Sequence, residues 1–168
     1  MRLMSFEAIA DALEKADVRY LVAGGLAVNA HGYLRFTKDV DLVIQLEKEN
    51  LRRGLDALAT LGYRPAIPVS LDQFTNASLR ESWVRDKGMQ VFQLWSDAHP
   101  ETSVDVFVTE PFDFDSEYAQ AVVKPLRDGL PVRFVSIPTL IRMKQLANRP
   151  QDLIDIEHLQ MRLDDDDE

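Results

Sequence analysis

The chain has 168 residues, of which 46% are hydrophobic and 28% are charged, and it contains no cysteine. This composition is typical of one globular domain, and a chain of this length buries enough apolar surface to fold without disulfides or a structural metal. The lack of cysteine excludes disulfide frameworks, zinc ribbons, iron–sulfur clusters and thiol nucleophiles.

The formal net charge is −9, but residues 164–168 are all acidic, which leaves −4 for residues 1–163. Because a terminal run of like charges is typical of a solvated tail, we predict one domain over residues 1–163 and a disordered acidic tail over residues 164–168. A mildly acidic body argues against non-specific DNA binding. No apolar run is long enough for a membrane helix, and the acidic start is unlike a signal peptide, so we expect a cytoplasmic protein without membrane contacts.

The first part of the chain predicts a helix and then a strand that ends in a tight turn. The helical spacing of Phe6, Ile9, Ala10 and Leu13 predicts a first helix, with Ser5 as its N-cap. The apolar run over residues 20–23 predicts a buried strand that ends at Gly24 and Gly25. A short second helix is expected to begin at Leu26.

The rest of the chain alternates strand and helix patterns. Residues 38–46 favour a strand and residues 47–61 a helix, and Asp128-Gly129 is typical of a hairpin turn. The remaining predicted elements are a hairpin of strands 79–85 and 89–95 turning at 86–88, a strand over 103–108, and two final helices over 137–147 and 151–163. Together they predict a single α+β (α/β) domain, a mixed β-sheet with flanking helices.

Three aspartates lie on two of the predicted strands. Side chains alternate along a strand, so Asp39 and Asp41 project from one face while Val40 points to the other. Asp105 lies in a strand whose valines would share the buried face. If the two strands are neighbours, three carboxylates converge and favour a hard divalent cation, Mg2+ or Mn2+. The alternative is that Asp39 caps a turn while Asp41 and Asp105 face solvent.

A second set of candidates lies just before the paired aspartates. Gly24 and Gly25 lack a Cβ, so their backbone can approach a ligand closely, and a triphosphate is the expected ligand. Arg35 and Thr37 add a guanidinium and a hydroxyl near the expected phosphates. A Gly-Gly pair after a strand can equally be only a turn.

The segment GGLAVNAHGYLRFTKDVDLVI (24–44), followed by VDVF (104–107), resembles the nucleotidyltransferase fold of the DNA polymerase β superfamily. It is most similar to small bacterial members such as the AbiEii-type toxins of toxin–antitoxin systems. Residues 136–159, in which a helix with a lysine precedes an Arg-Pro-x-Asp turn and another helix, share this similarity. Residues 64–100 resemble no family.

The resemblance implies roles for individual residues. Asp39, Asp41 and Asp105 would be catalytic and hold the metal, with Asp105 also activating the acceptor hydroxyl, and Gly24, Gly25, Arg35, Thr37 and Lys144 would bind the nucleotide. Lys144 can alternatively be an exposed helix residue, and Asp152 is expected to be the N-cap of the last helix, with a role at the site as the alternative. The interval between the glycine pair and Asp39 is longer than in minimal members, which bears on the position of Arg35.

The function that this resemblance implies is Mg2+-dependent transfer of a nucleotide from an NTP to a hydroxyl. The implied acceptors are a tRNA 3′ end or a protein side chain, and the implied setting is a toxin–antitoxin or phage-defence system with a cognate partner. One alternative is an antibiotic-type small-molecule acceptor. The Trp83 and Trp95 hairpin is a candidate lining of the acceptor pocket, and burial of these residues in the core is the other interpretation. Further alternatives are an inactive nucleotidyltransferase-like module that binds a partner, and an unrelated α+β domain whose aspartates are incidental.

Overall fold

The computed structural model describes residues 1–167, which form a mixed β-sheet flanked by helices. The helices are α1 (Leu3–Lys15), α2 (Gly24–Ala30), α3 (Lys48–Thr60), α4 (Leu71–Phe74), α5 (Ala77–Lys87), α6 (Phe114–Gln120), α7 (Ile137–Ala147) and α8 (Pro150–Asp166). The strands are β1 (Tyr20–Ala23), β2 (Asp39–Ile44), β3 (Arg64–Pro65), β4 (Val91–Trp95), β5 (Ser103–Phe107), β6 (Val122–Arg127) and β7 (Leu130–Phe134). The predicted α+β fold class is confirmed.

The sheet has the strand order β3-β4-β5-β2-β1-β7-β6, which places β2 and β5 side by side near its centre. Strand β2 pairs with β5 in parallel and with β1 in antiparallel orientation. Residues 40, 42, 104 and 106 of β2 and β5 are fully buried, so one face of this strand pair packs into the core. The opposite face is left for polar side chains.

Several predicted elements are confirmed. Strand β1 runs into the glycine pair, α3 matches the predicted helix, and β6 and β7 form the hairpin predicted at Asp128-Gly129, where Gly129 has a φ of +77°. The final helix pair is also present, with Arg149 rather than Asp152 at the N-cap of α8. No helix in residues 1–167 is both long and apolar enough to span a membrane.

The first predicted hairpin is wrong, because residues 79–85 belong to helix α5 and not to a strand. The Asn76 side chain accepts a hydrogen bond from the Leu79 N–H and so caps the helix, and Gly88 ends it with a φ of +60°. Trp83 is buried against the rings of Phe74 and Phe92. The β-propensity of Trp83 and its neighbours is therefore overridden by caps at both ends and by tertiary packing.

Smaller corrections concern helix ends. Helix α1 begins at Leu3, with Arg2 and not the predicted Ser5 at its N-cap. Ser5 lies inside the helix, where it is buried and its hydroxyl forms a hydrogen bond with His99. Helix α2 begins at Gly24 rather than at Leu26. Helix α8 continues through Asp166, so residues 164–166, predicted to be disordered, are helical, and Gln160 donates to Asp164 one turn later. Glu168 lies outside the described residues.

Candidate active site

The predicted carboxylate cluster forms on the polar face of the central strand pair. In the parallel β2–β5 pairing, Asp41 lies opposite Asp105, and Asp39 lies opposite Ser103. Residues 39–42 of β2 and 103–106 of β5 alternate between partly exposed polar positions and fully buried valines or leucine. The structure therefore brings the three aspartates together, as strand alternation predicts for neighbouring strands.

The surroundings oppose the ionisation of two of these carboxyls. Burial, together with the nearby charges of Asp105 and Asp39, raises the pKa of Asp41 to about 7. Burial and the charge of Asp39 also raise the pKa of Asp105. Asp39 itself accepts a hydrogen bond from the Ser103 hydroxyl. A cation near these groups would stabilise their ionised forms.

Asp105 carries an unsatisfied oxygen. Within residues 1–167, only Asp105 Oδ1 and the Tyr20 hydroxyl are buried side-chain polar atoms without a hydrogen-bond partner. Because buried polar atoms are nearly always paired, an orphaned carboxylate oxygen in a cluster of aspartates fits a ligand-binding role. It is free to accept a proton or to bind a cation.

The donor set fits a hard divalent cation, although the described residues contain no preformed cage. Across residues 1–167, no group of three or more His, Cys, Asp or Glu side chains is already arranged to hold a metal ion. Carboxylate oxygens are nevertheless the ligands that Mg2+ prefers, and a bound cation would relieve the repulsion between these aspartates. Mg2+ binding by Asp39, Asp41 and Asp105 stays a prediction.

The glycine pair packs directly against this strand. Gly24 has a φ of +62°, and a Cβ added to it would lie 1.9 Å from Asp41 Oδ2. A Cβ on Gly25 would lie 2.6 Å from Thr37 Oγ1. Both glycines are therefore required by close approach, and they place backbone beside the carboxylates and beside Thr37.

Arg35 lies beside the glycine turn, where a Cβ added to Gly25 would stand 3.2 Å from its Nη1, but its guanidinium also pairs with α8. Its Nε and Nη2 donate to the two carboxylate oxygens of Asp155 on α8, each at 2.7 Å. The Asp155 side chain is fully buried, and that of Arg35 is largely buried. Arg35 thus links the α2–β2 loop to α8 in a bidentate ion pair, and its guanidinium is already occupied.

Lys144 is buried rather than exposed. Its Nζ lies 2.7 Å from Asp155 Oδ2 and 3.2 Å from Asp152 Oδ1. Burial acts to raise the pKa of Asp155, but hydrogen bonds from Arg35, Lys144 and Gln151 outweigh it and lower the pKa. Asp152 also accepts from the backbone N–H of Arg149, so it caps α8 from the third helical position instead of from the predicted N-cap.

Asp155 was not identified from the sequence, whereas Arg149 is the arginine of the Arg-Pro-x-Asp turn. The available signal was the i, i+3 spacing of Asp152 and Asp155, which places both carboxylates on the same face of α8. With Arg35, Lys144 and Arg149, they form what we call the α8 ion network.

A cleft of about 540 Å³ lies beside the carboxylates. Gly24, Asp41, Asp105 and Lys144 line it together, so four of the residues predicted for the site meet in one cavity. Its apolar wall, absent from the prediction, comes from α5, the α5–β4 loop, β4, β5 and α7 and includes Val84, Met89, Val91, Phe107, Leu140 and Met143.

The two tryptophans do not form the expected pocket. Trp83 is part of the core. Trp95 is 40% exposed, and the Arg64 guanidinium lies 4.1 Å from its ring centroid. Neither side chain is among those that line the cleft in the described part of the chain.

Comparison with known proteins identifies the architecture. No protein-family model matches the sequence, and neither does any curated protein. Among solved structures, the solution structure of the antibiotic-resistance factor ANT(2'')-Ia is 19% identical, with a TM-score of 0.58 over 95% of this chain and 81% of that chain. The crystal structure of ANT(2'')-Ia in complex with adenylyl-2''-tobramycin is 16% identical, with a TM-score of 0.58 over 94% and 86%.

A third structure agrees with these two. An antigenic nucleotidyltransferase-like protein from Paracoccidioides brasiliensis is 17% identical, with a TM-score of 0.50 over 94% of this chain and 74% of that chain. None of the three tests the finer similarity to AbiEii-type toxins, which stays a prediction. The mixed sheet, the glycine turn and these structural neighbours lead to one conclusion: the chain has the nucleotidyltransferase fold.

Proposed function

We propose that this protein is a metal-dependent nucleotidyltransferase that transfers a nucleoside monophosphate from an NTP to a hydroxyl acceptor. The observation that carries the proposal is the register of β2 and β5, which sets Asp41 opposite Asp105 beside the backbone of Gly24. The similarity to nucleotidyltransferase structures supports the same class of reaction.

Each group has a defined task in this reaction. Asp39, Asp41 and Asp105 would hold Mg2+, which when bound neutralises phosphate charge and stabilises the leaving pyrophosphate. The unpartnered Oδ1 of Asp105 accepts the proton of the acceptor hydroxyl. A new bond then forms between the acceptor oxygen and the α-phosphorus, while the bond from this phosphorus to the bridging oxygen of pyrophosphate breaks.

The acceptor divides into two classes. The sequence pattern favours a macromolecular hydroxyl, on tRNA or on a protein, as in toxin–antitoxin systems. A small hydroxyl compound is supported by the neighbour that was solved with an adenylylated antibiotic and by the cleft, which apolar side chains line together with Asp41 and Asp105. We therefore propose a small-molecule acceptor as the second candidate.

The donor is tested first. Thermal unfolding is measured with ATP, GTP, CTP and UTP, with and without Mg2+, for the wild type and for the Asp39→Asn, Asp41→Asn double variant. We expect a Mg2+-dependent rise in melting temperature with at least one NTP, absent in the double variant, because a ligand that binds only the folded state stabilises it. The absence of any nucleotide effect on the wild type would contradict the proposal and favour an inactive partner-binding module.

The acceptor is tested next. The wild type and the double variant are incubated with α-32P-labelled NTP and either tRNA, a protein extract or a panel of aminoglycosides. Label that appears in one pool with the wild type alone identifies the acceptor class. Equal labelling by the two proteins would show that Asp39 and Asp41 are not part of the catalytic centre.

A further inference from the structure

The cations of the α8 ion network differ sharply in exposure. The network contains three cationic side chains and two carboxylates, so it carries one excess positive charge. The side chains of Lys144 and both aspartates are at most 6% exposed, whereas that of Arg149 is 74% exposed. The excess charge is therefore presented to solvent by Arg149.

The ammonium group of Lys144 is poorly placed to bind a phosphate. Its ammonium contacts one oxygen of Asp155 and one of Asp152, and all three groups are buried. Turning Nζ toward a phosphate would leave two buried carboxylates with fewer partners, which is costly. Lys144 lines the cleft, but its charge is already balanced.

Arg149 has the opposite properties. Its Nε and Nη2 donate to Asp152 at 2.8 and 3.3 Å, which fixes the orientation of the guanidinium. Within residues 1–167, its Nη1 has no acceptor in side-chain hydrogen bonds, so donors of the planar group remain for a ligand. Arg149 also lines the cleft that contains Asp41 and Asp105, and its charge acts on both of them.

We propose that Arg149 binds the phosphates of the nucleotide donor, that Asp152 orients it, and that Lys144 is a positioning residue that holds α7 against α8. This inference rests on the proposed function, and it differs from the role that the family resemblance implies for Lys144. A guanidinium held through two of its donors by a buried carboxylate suits phosphate recognition, because its remaining donors keep a fixed direction.

The test measures affinity as a function of phosphate number. Binding of ATP, GTP, CTP and UTP, and of the corresponding diphosphates, monophosphates and nucleosides, is measured by calorimetry with Mg2+ for the wild type, Arg149→Gln and the control Arg162→Gln. Arg162 is an exposed arginine of α8 that pairs with Asp166, and its replacement removes the same charge. Because hydrogen bonds to charged groups are lost, we expect Arg149→Gln to weaken triphosphate binding roughly 10- to 100-fold and to leave nucleoside binding unchanged.

The dependence on phosphate number separates ligand contact from a structural effect. A merely structural role for Arg149 would weaken nucleosides and triphosphates alike, and that result would overturn the inference. Equal triphosphate affinity in Arg149→Gln and the wild type would also overturn it and leave the proposed function standing. If the wild type bound no NTP, the proposed function would fail and the inference with it.

Two further variants complete the test. Arg149→Lys keeps the charge but loses the planar group, so we expect folded protein with an intermediate loss of triphosphate affinity. Lys144→Gln is expected to lower the melting temperature, because Asp152 and Asp155 lose a buried partner. The proposal would be refuted if Lys144→Gln stayed folded and no longer bound triphosphates more tightly than nucleosides, while both Arg149 variants still did. Lys144 would then bind the phosphates and Arg149 would be the positioning residue.

Discussion

Replacement of Gly24 by alanine tests the contact between the glycine turn and the carboxylates. Gly24 has a φ of +62°, a backbone conformation that costs a residue with a Cβ about 1–2 kcal/mol. The new Cβ would also stand 1.9 Å from Asp41 Oδ2, so the carboxylate must leave its rotamer, at a further cost of about 1 kcal/mol. We expect a total destabilisation of about 2–3 kcal/mol, together with loss of Mg2+-dependent NTP binding.

Gly88 provides a matched control. It has nearly the same φ, +60°, but a Cβ added there meets nothing within 4 Å. Gly88→Ala should therefore cost only the backbone strain of about 1–2 kcal/mol and leave nucleotide binding intact. Urea denaturation gives the free energy of unfolding of both variants, and thermal shift with NTP and Mg2+ gives binding.

A double variant isolates the clash. Adding Asp41→Ala to Gly24→Ala removes the oxygen that the new Cβ would meet, so the two substitutions should not be additive in stability. NTP binding by Gly24→Ala at the wild-type level would refute the assignment of this turn to the site.

Further predictions concern ion pairs and helix caps outside the cluster of Asp39, Asp41 and Asp105. Asp155→Ala should lower the free energy of unfolding by about 3–5 kcal/mol, because Arg35 and Lys144 would lose a buried partner; urea denaturation measures it. Hydrogen bonds lower the pKa of Asp155 below the unfolded value of 3.8, so the stabilisation by its carboxylate is complete above pH 3.8 and is lost as the pH falls through the folded pKa. The unfolding free energy of Asp155→Asn should therefore depend less on pH in this range than that of the wild type. Glu117→Gln should cost about 1–3 kcal/mol, because the buried Glu117 accepts from the Ser136 N–H and from the Thr139 hydroxyl, each at 2.6 Å. Ser136→Ala should have little effect on thermal unfolding, because the Ser136 side chain makes no capping hydrogen bond.

The carboxylate cluster was predictable because it depends on short-range rules. Alternation along a strand fixes the faces of Asp39, Asp41 and Asp105, and only the adjacency of β2 and β5 had to be supplied by the fold. The glycine turn was predictable for the same reason, since a short apolar strand followed by two glycines is a local signal.

The ion pairs that Arg35 and Lys144 form with α8 could not be predicted from local sequence patterns. Arg35 pairs with Asp155, 120 residues later in the chain, and no periodicity marks such a partner. Helix α5 was missed for a different reason, because Trp83 and Val84 favour strands and only caps and packing decide the outcome. Local rules thus predicted the groups at the site but not the ion pairs that hold its surroundings.

The electrostatics of the cleft join these two parts of the site. On one side, Asp41 and Asp105 resist ionisation because they are buried close to each other and to Asp39. On the other side, the α8 ion network presents one excess positive charge through Arg149. A Mg2+–triphosphate complex carries both a cation and oxyanions, so it can satisfy the aspartates and the guanidinium together. A nucleoside offers neither charge, and it follows that affinity should rise with phosphate number and should require the metal.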